Sequence, residues 1–208
     1  MTRLVLASSS PARLALLRSA GIEPEIVLPE ADEPALAAAA RLENPNLSAE
    51  DLVGLLAKAK AESVLQDLST HGAIILGGDS ALEFEGEILG KPHEPEIAIE
   101  RWGKLSGKSG VLHSGHYLID NRHPSDPKGS MGVSSTKVYF SKVSEKEILD
   151  YVATGEPLKV AGAFTIDGLG GAFIDRIEGD SHTVVGLSLK VLRELAAGFG
   201  VHYPSFWR

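Results

Sequence analysis

The sequence predicts an α/β fold, with a mixed, twisted sheet flanked by helices, in one domain over residues 1–208. Three observations predict it. Short apolar runs alternate with apolar-periodic segments of helical length, as strands do when helices pack on them. Two of the connections read as hairpins, so the sheet is not purely parallel. A chain of 208 residues with 43% hydrophobic content can bury a sizeable core.

Residues 4–7 are a short apolar run that reads as the first strand. Ser8, Ser9 and Ser10 make a tight turn, Ser10 suits an N-cap, and Pro11 suits the first helical position. Leu14, Leu16 and Leu17 give the helix its apolar stripe, and Gly21 stops it. Residues 25–28 read as a second strand, and residues 29–46 as a polar, alanine-rich connection. Ser48 opens a helix in a sequence resembling a capping box, with Asp51 in the reciprocal place. That helix runs to Val64, and its Lys58 and Lys60, two apart, lie on different faces.

Residues 73–76 are fully apolar, fit for a central strand that ends in Gly77-Gly78-Asp79-Ser80. Residues 82–89 read as a hairpin about Glu85-Gly86, and residues 95–105 as a helix. Residues 111–120 and 133–140 read as partner strands, joined by a polar, turn-rich hairpin loop over 121–132. Ser144 caps a helix over 145–153, residues 173–177 form a last strand, and residues 189–197 the last helix. Tyr203, Phe206 and Trp207 in the tail are expected to pack on the body or at a dimer contact.

Composition narrows the function. A formal charge of −8 argues against coating a nucleic-acid polymer, though a few local cations suffice for a nucleotide. The absence of cysteine excludes a thiolate nucleophile and cysteine-ligated metal. No signal-peptide pattern opens the chain and no run approaches membrane-spanning length, so a cytoplasmic protein without membrane contact is expected.

Four places could carry chemistry. The serine turn and helix start, with Ser8 and with Arg13 in the first turn, make an anion site suited to phosphate, or else an ordinary capped helix. Asp79, after an apolar strand and two glycines that would let a ligand approach, is a metal ligand, a general base, or a turn cap. Lys91, stiffened by Pro92, is a phosphate contact or a solvated lysine. Asp32 and Glu33 offer the hard oxygens that Mg²⁺ takes, or form a solvated acidic loop. Gly168-Leu169-Gly170-Gly171 is not a dinucleotide fingerprint; it is a set of tight turns or a rim for a planar base. The histidines form no HExxH pair, and no serine stands in a GxSxG elbow.

The segments Leu6-Ala-Ser8-Ser-Ser10-Pro11-Ala12-Arg13, Gly78-Asp79-Ser80, Ile88-Leu-Gly90-Lys91-Pro92, Gly155-Glu156-Pro157-Leu158 and Asp167-Gly168-Leu-Gly170-Gly171 stand in an order that resembles the Maf family of nucleotide pyrophosphatases. Asp32-Glu33, Lys60 and Val185-Gly186-Leu187 fit the same order, so the resemblance covers nearly the whole chain. It implies a fold like that of inosine-triphosphate pyrophosphatases, with two lobes, a central cleft and a homodimer. It implies hydrolysis of a nucleoside triphosphate to the monophosphate and pyrophosphate with a divalent cation, Mg²⁺ or Mn²⁺. Ser8, Arg13, Lys60 and Lys91 are implied as phosphate-binding residues. Asp79 is implied as the proton acceptor for water, Glu33 as its acidic partner, and both as metal ligands. House-cleaning of non-standard or modified nucleotides is the expected role. A nucleotide-binding regulator of septum formation, without essential catalysis, is the alternative.

The departures concern substrate choice. Family members that resemble dTTP/UTP enzymes carry Arg, Thr and Gln at the positions of Ala12, Ser80 and Asp167, and those that resemble 7-methyl-GTP enzymes carry Trp, His and Glu. This chain has neither set. An ionised Asp167 is acceptor-only, so a base edge showing N–H donors, as in guanine-like, cytosine-like or modified nucleotides, is expected.

Overall fold

A computed structural model describes residues 1–208. In chain order its elements are β1 (Leu4–Ala7), α1 (Pro11–Ser19), β2 (Glu25–Ile26), α2 (Glu33–Glu43), α3 (Ala49–Ser63), β3 (Ile74–Phe84) and β4 (Glu87–Leu89). There follow α4 (Pro95–Leu105), β5 (Ser109–Asp120), β6 (Lys128–Phe140), α5 (Glu145–Ala153), β7 (Ile174–Glu178), α6 (Ser181–Val185) and α7 (Leu189–Gly198). Short 3₁₀ turns fill several joints. The strands form one seven-stranded sheet in the order β2-β1-β3-β5-β6-β7, with β4 on β3 off that path. β1 runs parallel to β2 and β3, whereas β4 on β3 and β7 on β6 are antiparallel. The sheet is therefore mixed, as the two hairpins predict. No helix is long and apolar enough to cross a membrane.

The chain forms two compact units, one of Met1–Asp79, Ser114–Ser134 and Gly186–Arg208, the other of Ser80–His113 and Ser135–Val185. In the first unit, Leu4, Leu6, Ile74 and Leu76 pack with Leu17, Leu192 and Phe206, while Val5, Ala7 and Ile75 pack with Ala61 and Val64. Alternate residues of β1 and β3 thus feed two cores, as period-two strands buried on both faces must. In the second unit the core centres on Trp102, which packs edge-to-face on Phe140, Tyr151 and Phe173. The Trp102 indole N–H donates to the Ala163 carbonyl at 2.7 Å, so the buried ring leaves no donor unmet.

Several elements differ from the sequence expectation, among them α6, in a stretch where no helix is expected. Residues 33–43 form α2 instead of a loop: the run of alanines is the best helix former, and the Asp32 carboxylate accepts the Ala35 N–H to cap it. The flanking prolines disguise it, yet Pro34 falls in the first turn, where proline costs nothing. β2 keeps only two residues, because it pairs with β1 alone and then leaves the sheet edge. β3 continues through Gly77-Gly78-Asp79-Ser80 to Phe84, held by β1 up to Gly77 and by β4 from Leu82. β6 begins at Lys128, inside the expected loop, because Met131 lies over Gly54 and Gly132 packs closely on Val191. In the tail, Phe206 is buried in the first unit's core, while Trp207 bridges to Ile22 and stays half exposed.

The placement of α3 follows from missing side chains. A Cβ on Gly77 would lie 2.2 Å from the Ala57 carbonyl oxygen and 2.8 Å from the Ala61 N, both backbone atoms of α3. A Cβ on Gly115 of β5 would lie 2.3 Å from the Val53 carbonyl oxygen. The helix therefore rests directly on the strands. Gly77→Ala is expected to cost about 1–3 kcal/mol by overpacking, since neither a paired strand nor a helix backbone can give way. Gly90→Ala, where a Cβ meets nothing, is expected within about 0.5 kcal/mol of wild type. Urea denaturation of both variants checks the contrast.

Candidate active site

The turn after β1 builds the first part of the site. Ser10 caps α1 by accepting the Arg13 N–H at 3.4 Å. The Ser8 hydroxyl oxygen, buried, accepts the Ser10 N–H at 3.2 Å and the Arg13 guanidinium at 3.1 Å. Arg13 Nε donates to the Gly186 carbonyl at 2.8 Å. Burial of the guanidinium pushes its pKa down, and the nearby charges of Asp79 and Glu33 pull it back up. A charge is thus held out of water beside a helix N-terminus, where backbone N–H groups also favour an anion.

The second part lies at the middle of β3. Successive side chains of a strand face opposite ways. Position 77 faces α3, so Asp79 does also, and there it accepts from Lys60 Nζ at 2.7 Å. The same ammonium lies 2.9 Å from Glu33 Oε2, at the first residue of α2. Lys60 is nearly buried, with a side chain only 7% exposed, and Asp79 is 14% exposed, so their attraction is little screened by water. Removing either would leave a poorly solvated charge, at about 3–5 kcal/mol. Position 78 faces the other way: a Cβ there would lie 3.2 Å from Arg13 Nε. The two glycines before Asp79 thus admit α3 and Arg13, rather than a ligand as the sequence reading expects. Asp79 sits within a strand, not at its carboxyl end, because β4 prolongs the ladder.

The structure therefore joins Ser8 to Arg13, and Glu33 and Asp79 to Lys60, all within the first unit. Asp32 caps α2 and makes no part of this cluster. Ala12 is half-buried in the first turn of α1, and Ser80 is half-buried beside Asp79 in sequence. Lys91, in the second unit, is exposed after β4 and makes no hydrogen bond or ion pair. Asp167, also in the second unit, is exposed and accepts from the Thr165 hydroxyl. No group of three or more His, Asp or Glu side chains is gathered to hold a metal. Glu33 and Asp79 nevertheless suit a hard cation that takes two carboxylates and completes its shell with phosphate and water. Each gives one oxygen to Lys60 and keeps the other.

Two contributors lack a role in the sequence reading. The Gly186 carbonyl orients Arg13; the only signal for it is the short Val185-Gly186-Leu187 motif. The Glu156 carboxylate accepts the Leu169 and Gly170 N–H groups and the Tyr151 hydroxyl at 2.9–3.0 Å. Burial pushes its pKa up, but these donors outweigh burial and hold it below the ordinary value. A depressed carboxylate adds stability that is present above the ordinary pKa and lost as pH falls through the folded one. Wild type is therefore expected to exceed Glu156→Gln in stability at about pH 7, and to lose that advantage towards about pH 3. Denaturation curves at the two pH values check the sign.

A model of the family described as Maf-like protein matches residues 3–199. A protein from Leifsonia xyli named "Nucleoside triphosphate pyrophosphatase" is 51% identical over 99% of this chain and 96% of its own length. Proteins of the same name from Salinispora tropica and Nocardia farcinica are 50% and 44% identical, each over 99% of this chain, and over 87% and 96% of their own lengths. Among solved structures, the Staphylococcus aureus Ham1 protein aligns over 95% of this chain and all of its own, at 14% identity and a TM-score of 0.44. With the family model spanning nearly all of its length and relatives at about half identity, this chain belongs to the Maf-like proteins.

Proposed function

We propose that this protein hydrolyses a nucleoside triphosphate at the α-phosphorus, releasing the monophosphate and pyrophosphate. The observation that carries this reading is the meeting of two buried cations, Arg13 and Lys60, with the carboxylate of Asp79. Its relatives' name, nucleoside triphosphate pyrophosphatase, supports the same reaction. A triphosphate brings several negative charges, and a site that already holds unsolvated cations needs little reorganisation to receive them. Ser8 and the first turn of α1 supply hydroxyl and N–H groups for the phosphate oxygens.

The chemistry assigns each residue a task. Asp79 accepts a proton from water as the water oxygen bonds to the α-phosphorus. The bond from that phosphorus to its bridging oxygen breaks, and the electron pair leaves with pyrophosphate. Arg13 and Lys60 stabilise the charge that builds on the leaving oxygens. Glu33 holds Lys60 by a second ion pair and keeps the ammonium in place. A divalent cation, Mg²⁺ or Mn²⁺, held through Asp79 and Glu33, would add neutralisation of phosphate charge. Asp167, exposed and acceptor-only, favours bases that present an exocyclic amino group, and Ala12 and Ser80 complete the substrate-selective set. That preference suits removal of non-standard or modified nucleotides.

The test is a panel of nucleoside triphosphates incubated with Mg²⁺ or Mn²⁺, resolving pyrophosphate from phosphate, with oxygen-labelled water as a tracer. Label in the monophosphate, and none in pyrophosphate, is the expected result. Asp79→Asn is expected to lower kcat by about 10²–10⁴-fold with the nucleotide still bound, and chelation of the cation to suppress turnover reversibly. Nucleotide binding without turnover on any member would instead support a nucleotide-binding regulator of septum formation. Phosphate and diphosphate as products would refute attack at the α-phosphorus.

A further inference from the structure

The loop that carries Asp167 is held at its Leu169–Gly170 end by one hydrogen-bonded chain. The Tyr151 hydroxyl donates to Glu156 Oε1 at 2.9 Å. The same carboxylate accepts the Gly170 N–H at 2.9 Å and, through Oε2, the Leu169 N–H at 3.0 Å. Residues 166–168 are thus a three-residue tip whose C-terminal base, Leu169, hangs on Glu156. At the tip, the Thr165 hydroxyl donates to Asp167 Oδ1. That leaves Oδ2 as the oxygen that a ligand can meet.

The clamp leaves no slack. A Cβ on Gly168 would lie 2.5 Å from Glu156 Oε2, and one on Gly170 2.4 Å from the Tyr151 hydroxyl. On Gly171 it would lie 2.6 Å from the Ile166 carbonyl oxygen. Tyr151 is itself buried, packed edge-to-face against Trp102 and Phe173. Burial and the Glu156 charge push its phenol well above the ordinary value, so it stays a neutral donor. The exposed tip is anchored through these contacts to the buried aromatic packing of its unit.

Resting on the base-reading role proposed for Asp167, we infer that Tyr151 and Glu156 are positioning residues for base discrimination. They fix the loop so that Asp167 offers one aimed, acceptor-only oxygen to the amino group of a cytosine- or guanine-type base. A fixed acceptor discriminates because a base that shows it a carbonyl, as uracil does, meets repulsion that a loose side chain could swing away to avoid.

The experiment compares kcat/KM for CTP and GTP with that for UTP in wild type, Glu156→Gln, Tyr151→Phe and Asp167→Asn. The ratio between substrates is independent of the fraction of enzyme that is folded, so a globally destabilised variant cannot mimic the effect. Wild type is expected to prefer an amino-bearing base at least about tenfold, the size of one hydrogen bond to a charged group. Glu156→Gln and Tyr151→Phe are expected to shrink that ratio towards one, through a higher KM for the preferred base at little changed kcat. If Glu156→Gln does not fold, Tyr151→Phe, which deletes one hydroxyl, decides. A ratio that collapses in Asp167→Asn but survives in both clamp variants overturns the inference and leaves the base reading standing. No preference in wild type, or a preference that Asp167→Asn leaves intact, overturns the base reading and the inference with it.

Discussion

The direct seating of α3 on the sheet is the constraint on which the first unit depends. Gly77 and Gly115 have no side chain because the helix backbone occupies that space. Ala57 and Ala61 are the helix's matching small residues, both fully buried. This seating sets the height of Lys60 above β3. With a bulkier residue between helix and strand, its ammonium could not reach Asp79 at hydrogen-bond distance while its stem stayed buried. Packing therefore does electrostatic work: it places a cation where water cannot compete for it.

The same stretch of strand serves both faces. Gly77 admits α3 and Gly78 admits Arg13, so consecutive glycines bring one cation close on each side of the residue pair that precedes Asp79. The cations are balanced differently. Lys60 is paired at contact with two carboxylates, whereas Arg13 bonds the Ser8 hydroxyl and the Gly186 carbonyl and feels the carboxylates through space. A buried guanidinium so arranged is already desolvated. The buried guanidinium is held in place by the fold, at a cost borne by burial elsewhere in the unit.

In the second unit, the rigid element is the aromatic cluster about Trp102, and the polar loop hangs from it through Tyr151 and Glu156. Glu156 satisfies two backbone N–H groups that open the 3₁₀ turn Leu169–Phe173, a task that helix starts commonly give to a capping residue next to them in sequence. Here the cap comes from a residue far upstream, and it ties two segments together as well as satisfying donors. Glycines at 168, 170 and 171 are the consequence: the chain passes so near its own carboxylate, hydroxyl and carbonyl groups that no Cβ fits.

The sequence by itself determined the mixed α/β class, most helix starts, and nearly all of the residues that form the candidate site. Ser10, Ser48 and Ser144 cap their helices as their local chemistry dictates. The alternation of apolar runs was enough to find the strands, because burial on both faces leaves long apolar stretches. Local pattern failed where local signals conflicted: prolines hid α2, glycines hid the continuation of β3, and polar residues hid the start of β6. Only the tertiary structure decided that Lys60 stands between Glu33 and Asp79, that Gly186 holds Arg13, and that Glu156 holds the Asp167 loop. The physical reason is sequence distance. Capping and periodicity act within a turn or two, whereas these pairings join residues that meet only once helix and strand backbones have packed to contact.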